Sequence, residues 1–147
     1  MSVRVAGPPS GRPGDRLDRV LLADRARRVL RALDHGRSEL SVALVGDAEI
    51  AGLNEQYRGK PEPTDVLSFS LVEGDHSDYR GQLLGDVVIS VDTAASQARK
   101  RHRSLDEEVA RLLIHGVLHL LGHDHAEAEE RRRMWAEQRR VWKALAR

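Results

Sequence analysis

An α+β fold, with a small mixed β-sheet of about four strands packed with about five helices, follows from three observations on the sequence. Short β-branched apolar runs alternate with helix-period segments through the first part of the chain. The later part is helical throughout. No repeat or composition break divides the 147 residues, of which 40% are hydrophobic and 32% charged, enough for one domain (1–147) with its own core.

From the N-terminus, VRV (3–5) reads as a short strand, and GPPSGRPG (7–14) as a loop on its Gly and Pro content, with residues 6–15 expected to be a flexible link. Asp15 to about Ala32 has a helical pattern. Leu22, Ala26, Val29, Leu30 and Leu33 share one face, while Arg25, Arg27, Arg28 and Arg31 ring the rest. ELSVALVG (39–46) is a β-branched strand, and Asp47 is placed to cap a short helix ending near Tyr57, with Ile50, Leu53 and Asn54 at helical spacing. RGKPEPTD (58–65) is a loop, VLSFS (66–70) alternates as a strand does, and EGDHSDYRGQ (73–82) is polar and expected to be mobile. LLGDVVISV (83–91) is a strand whose glycine marks a bulge or a close approach. Residues 92–101 read as a helix ending in a basic cluster of Arg99, Lys100, Arg101 and Arg103. SLDE (104–107) is a capping box, in which the Ser104 hydroxyl accepts from Glu107 and Glu107 reaches back. The helix it opens runs through Leu112, Leu113, Val117 and Leu120 to Gly122, where a left-handed cap is expected. A last helix, about 126–146, carries Met134, Trp135, Val141, Trp142 and Leu145 on its apolar side.

Composition narrows the function. Net charge is +1, so affinity for a polyanion must come from local patches. Aromatic residues are 3% of the chain, too few for extensive base-stacking platforms. Without cysteine there are neither disulfides nor thiolate zinc sites, which suits a reducing compartment. The first residues lack the apolar core of a signal peptide, and no run approaches the roughly 20 apolar residues of a membrane helix. A soluble, cytoplasmic protein without membrane contacts is expected.

Four of the seven histidines crowd into RLLIHGVLHLLGHDHAEA (111–128). His115 and His119, four apart on a helix, place their Cβ atoms about 5–6 Å apart on one face. Two such imidazoles can share a cation at Zn–N distances of about 2.0–2.1 Å. Gly122 then turns the chain, and the three residues to His125 reach about 10 Å, enough to return a third imidazole over the first two. H-x-x-x-H-x-x-G-x-x-H thus builds a zincin-like helix holding one zinc ion per chain, with a fourth position open as in catalytic sites. His123, one residue out of phase, is the alternative third ligand. Asp124 could orient a ligand from behind. The position occupied by the general-base Glu of H-E-x-x-H peptidases is Gly116, which weakens a peptidase reading. A zinc ion can equally polarise a phosphoryl oxygen, chemistry that calls for a guanidinium to meet the developing charge. Arg58 and Lys60, in the segment joining a helix to a strand, are the candidates.

Three blocks together carry a resemblance. HGVLHLLGHDH (115–125), NEQYRGKPEPTDVLSFS (54–70) and LLGDVVIS (83–90) resemble, in the same order, the signatures of the YbeY family of endoribonucleases and rRNA maturation factors. The resemblance implies zinc ligation by His115, His119 and His125, Arg58 as the essential basic residue, and a small sheet packed with helices. It also implies cleavage of single-stranded RNA, 3′-end maturation of the small-subunit (16S) rRNA and ribosome quality control. On this reading the partners are single-stranded RNA and the ribosome or its assembly factors, with no DNA expected. Arg58 and Lys60 would contact substrate phosphates, and the cluster from Arg99 to Arg103 is a further candidate. The alternatives are a zinc peptidase-like hydrolase and a non-catalytic ribosome-assembly factor whose structural zinc has a closed four-ligand shell, with His123 or Asp124 filling the last place. Two features depart from the family pattern. His123 stands where the family usually has Tyr, and residues 6–15 match nothing in it.

Overall fold

The structure, a computed structural model, describes residues 3–71, 83–123 and 127–145. Its strands are β1 (Val3–Ala6), β2 (Glu39–Val45), β3 (Val66–Ser70) and β4 (Leu83–Ser90). Its helices are α1 (Arg19–Ala32), α2 (Asp47–Arg58), α3 (Val91–Arg101), α4 (Leu105–Leu120) and α5 (Ala128–Leu145). The strands form one mixed sheet in the order β1-β2-β4-β3, in which β1, β2 and β4 run parallel and β3 pairs antiparallel with β4. This is the α+β architecture the sequence predicts.

Alternation along the strands sorts the two faces. Leu40, Val42, Leu44, Val87 and Ile89 point into the main core with α1, α4 and α5. Val45, Val88 and Leu67 point the other way, where Ile50 of α2 covers them. Leu84 and Val87 reach the same core although three residues apart, because the register against β2 slips between Glu39 and Ser41 and β4 carries one extra residue. Gly85 lies at that bulge, where an added Cβ would collide with the Phe69 carbonyl.

Four local expectations are corrected. The helix predicted from Asp15 is broken. A 3-10 turn covers Gly14–Arg16, and α1 starts only after Asp18, whose carboxylate accepts from the Leu21 N–H at 3.0 Å. Asp18 is held there by its own N–H, which donates to Asp106 at 2.9 Å. Asp47 is not the cap of α2 but its first helical residue, and its carboxylate accepts from Ser90 and Thr93 at the start of α3. In return Asp92 accepts the Asp47 N–H at 2.9 Å, so α2 and α3 are tied together at their N-termini. Glu107 accepts no bond back from Ser104 and pairs instead with Arg103 and Arg111. Trp135 does not pack onto the body, being 59% exposed, while Met134, Val141 and Leu145 carry the contact. Trp142, two turns further on, packs against the core edge with the Arg111 guanidinium 4.4 Å above its ring. Arg140 donates to Glu137 and to the Ala32 carbonyl, and that guanidinium holds the Glu137 carboxyl below its ordinary range. The 73–82 segment lies outside the described residues.

Candidate metal centre and its cleft

α4 is the central helix, and its environment explains an apolar run with histidines in it. Ser104 caps it, accepting the Glu107 N–H at 3.1 Å. Val109, Leu113, Ile114, Val117 and Leu118 are fully buried, so the helix is surrounded on nearly all sides and can be apolar nearly all round. His115 and His119 lie on the one stripe left half-buried. The helix ends in paired bonds, Gly122 N–H to His119 O at 3.0 Å and His123 N–H to Leu118 O at 3.0 Å. Gly122 has φ +95°, as that cap requires.

Between the histidines, Gly116 faces the sheet. A Cβ there would stand 2.6 Å from Val87 Cγ1 and 3.2 Å from both Ser68 Oγ and Val66 Cγ2. Without one, the backbone comes close enough for the Ser68 hydroxyl to donate to the Gly116 carbonyl at 2.8 Å. A peptidase-type glutamate at 116 therefore has no room, and its carboxylate would enter the sheet instead of the site. Gly116→Ala is expected to cost about 1–3 kcal/mol through overpacking. Chemical denaturation should show that loss, and an unchanged midpoint would mean the helix has slack to move away.

A cleft of about 450 Å³ opens over this stripe, and its walls include His115, His119, Arg58, Asp65, Ser68 and Ser70. Arg58 is the last residue of α2, and Gly59 closes the helix in the left-handed conformation with φ +71°. Buried Asn54 fixes the turn beyond it, since its Nδ2 donates to the Glu62 carbonyl at 2.9 Å and gathers residues 59–62 against the helix. Asp65 anchors the far end of that turn. Its carboxylate accepts from Val66 N–H at 2.8 Å and from Gln97 Nε2 at 3.1 Å, and its carbonyl accepts from Ser90 N–H. A guanidinium at an exposed helix end is thus carried by a tightly bonded frame.

The structure brings Arg58, His115 and His119 to one cleft. Lys60 is exposed beyond the turn and does not line it. His123 lines a separate cleft with Glu130 and Arg133. His125 and Asp124 lie outside the described residues. Among the described residues no third His, Asp or Glu joins the pair in a metal-holding group. The pair itself fits an ion. The two Nε2 atoms are 3.1 Å apart, with ring centroids at 4.6 Å and planes at 72°. Two nitrogens on one tetrahedral zinc are separated by about 3.3 Å. The basic cluster divides differently from expectation: Arg101 and Arg103 hold the buried carboxylate of Glu108, leaving Arg99 and Lys100 exposed.

This arrangement has relatives. A family model described as Endoribonuclease YbeY matches residues 17–146. The chain belongs to the YbeY family. Membership places it among the endoribonucleases, hydrolases whose substrate is RNA. A protein from Pelotomaculum thermopropionicum named Endoribonuclease YbeY is 48% identical over 124 residues, covering 82% of this chain and 82% of its own. One of the same name from Aquifex aeolicus is 49% identical over 112 residues, covering 76% and 73%. The solution structure of TM1509 from Thermotoga maritima has a TM-score of 0.67 at 28% identity, covering 97% of this chain and 88% of that one. Residues 3–16 precede the family match, although β1 and the 3-10 turn are part of the folded body.

Sequence reasoning passed over Asn54, Asp65, Ser68 and Gln97, which build the frame of the cleft. Asn54 and Asp65 stand in one of the three family-like blocks, NEQYRGKPEPTDVLSFS, and an Asn on the apolar face of α2 was the available signal. Gln97 carried no such signal, because its partner is 32 residues away. Among the described residues no helix is long and apolar enough to cross a membrane.

Proposed function

We propose that residues 1–147 form one zinc-dependent, single-strand-specific endoribonuclease domain acting in the cytoplasm on the 3′ end of small-subunit rRNA and in ribosome quality control, with the ribosome and its assembly factors as partners. The observation that carries this reading is the shared cleft, in which one guanidinium, Arg58, shares the walls with two converging imidazoles. His115, His119 and His125 would hold the ion. When bound, zinc supplies Lewis acidity toward a phosphoryl oxygen and toward water.

The chain's own groups supply the rest. Arg58 presents five N–H donors in a planar fork that matches two non-bridging phosphate oxygens, and its charge opposes the negative charge that grows there during cleavage. Asn54 and Asp65 fix the backbone turn that follows Arg58, and so set where the end of its helix stands beside the cleft. The Ser68 hydroxyl is committed to the Gly116 carbonyl and acts as a spacer between sheet and helix. With no room for a carboxylate at 116, the geometry favours phosphodiester over peptide chemistry. His123, one of the two candidates for closing a four-ligand shell, lines another cleft, which supports a site open to substrate; the other, Asp124, lies outside the described residues.

A chelator should abolish cleavage of single-stranded RNA, and zinc should restore it. Arg58→Ala should keep its metal and lose at least about a hundredfold in rate, the scale of removing one well-placed donor from a developing anion. Normal turnover by Arg58→Ala would refute the role. Chelator-resistant cleavage, with contaminating nuclease excluded, would refute metal dependence.

A further inference from the structure

The N-terminal segment ahead of the family match does more than connect β1 to α1. Arg12 and Arg16 come from this segment and Arg99 from the last turn of α3, and together with Pro13, Asp92 and Ala95 they line one cleft of about 360 Å³. All three arginines are exposed, and none of their side chains has a hydrogen bond or ion pair to another described residue. Other exposed arginines also lack a partner among the described residues; what sets these three apart is that two segments distant in sequence bring them to one cleft. The one acid in the cleft, Asp92, is already committed through Oδ2 to the Asp47 N–H.

The helix dipole accounts for a cation at the end of α3 but not for two more brought to it from a segment some eighty residues earlier in the sequence. Against the single carboxylate in its lining, Asp92, the three arginines leave the cleft with a net positive charge, which suits a polyanion. The planar fork of Arg suits phosphate. No aromatic ring lines the cleft, so contacts would be to backbone phosphates and independent of sequence.

Its position relates it to the first cleft. On α3, Asp92, Ala95 and Arg99 fall on one stripe at i, i+3, i+7, and Gln97 falls on the opposite side, bonded to Asp65 of the catalytic cleft. One helix, about 10–12 Å across, is therefore the wall between them. We propose that Arg12, Arg16 and Arg99 form an outlying phosphate site that grips the same RNA strand beyond the scissile region, so that the N-terminal segment extends the substrate footprint. This rests on the endoribonuclease reading for its ligand, though not for its test.

The test compares wild type with Arg12→Ser/Arg16→Ser/Arg99→Ser, all at exposed positions, after thermal melting confirms equal folding. Fluorescence anisotropy with a single-stranded RNA of about 20 nucleotides, in chelator and across a salt series, reads binding without cleavage. Each lost phosphate contact should take about 0.7 from the salt slope, so the triple variant should lose about 2 and bind roughly tenfold more weakly or worse at moderate salt. In cleavage, KM should rise for the long strand while kcat holds, and both should be unchanged for a trinucleotide. An unaltered slope and affinity would overturn the site, as would an equal loss on the trinucleotide. Should the chain cut no RNA at all while the anisotropy difference persists, the catalytic reading fails and this site stands.

Discussion

His119→Ala is expected to strip the protein of its metal and reduce RNA cleavage by more than about a hundredfold, while leaving the fold in place. Disturbing even an outer partner of a metal ligand typically costs ten- to a hundredfold, and here a direct ligand is proposed. The Nε2 atoms of His115 and His119 are 3.1 Å apart, a spacing suited to one ion. The rest of α4 does not depend on that ring. Leu113, Ile114, Val117 and Leu118 hold the helix in the core, and Gly122 and His123 close its last turn through backbone bonds. Metal analysis and far-ultraviolet circular dichroism should therefore part company, with stoichiometry falling toward zero and helicity near wild type. His123→Ala is the matched control. Its ring lines a cleft with Glu130 and Arg133, so metal content should be unaffected. Metal retained in His119→Ala, or lost in His123→Ala, would reverse the ligand assignment.

That pair of variants also marks the boundary of what is legible in the sequence. The i, i+4 spacing on an apolar helix is a local pattern, and it places His115 and His119 side by side. Whether His123 shares their site is not local. It depends on the turn at Gly122, beyond which His123 lines a different cleft with Glu130 and Arg133. The same division runs through the fold. All four strands are locally legible, VLSFS by alternation and ELSVALVG and LLGDVVISV as apolar runs, since β2 and β4 have a core on both faces. The start of α1 escapes a local reading because the residue that decides it, Asp18, is fixed by Asp106 from 88 positions away. Trp135 escapes it for a different reason. It adjoins Met134, and a helical wheel separates neighbours by only about 100°, so either could anchor the face. Met134 takes the buried side with Val141 and Leu145, and Gln138 on the same stripe bonds the Arg111 carbonyl at 2.9 Å, leaving Trp135 exposed. Arg58 is identifiable by residue type and by the block it stands in. What makes its position definite, the grip of Asn54 on Glu62 and of Gln97 on Asp65, requires three elements to meet.

The basic cluster after α3 yields the second large effect, and it is one of stability. Arg101→Ala/Arg103→Ala is expected to cost about 3–5 kcal/mol, a fall of roughly 10 °C in melting temperature for a chain of this size. Glu108 has 0% exposure and accepts from Arg101 at 2.7 Å and Arg103 at 3.2 Å. Both guanidiniums lie on the approach to α4, on either side of His102, which turns the chain at φ +56°. Removing the arginines leaves a carboxylate in the core with nothing to offset its desolvation. Removing the acid is a different experiment. Arg101 and Arg103 have side chains 52% and 29% exposed, so water can take over their donors when Glu108 is replaced by an apolar residue of similar volume. Glu108→Met should accordingly lose far less than the double arginine variant, and urea denaturation of the two should rank them in that order. If Glu108→Met proved the more damaging, the triad would be acting through the geometry of the α3–α4 turn and not through burial of charge. If the double variant were neutral, the carboxylate would have found another partner. In either outcome an RNA-binding role for these two arginines would have to be weighed afresh, since their present partner would no longer explain why they are there.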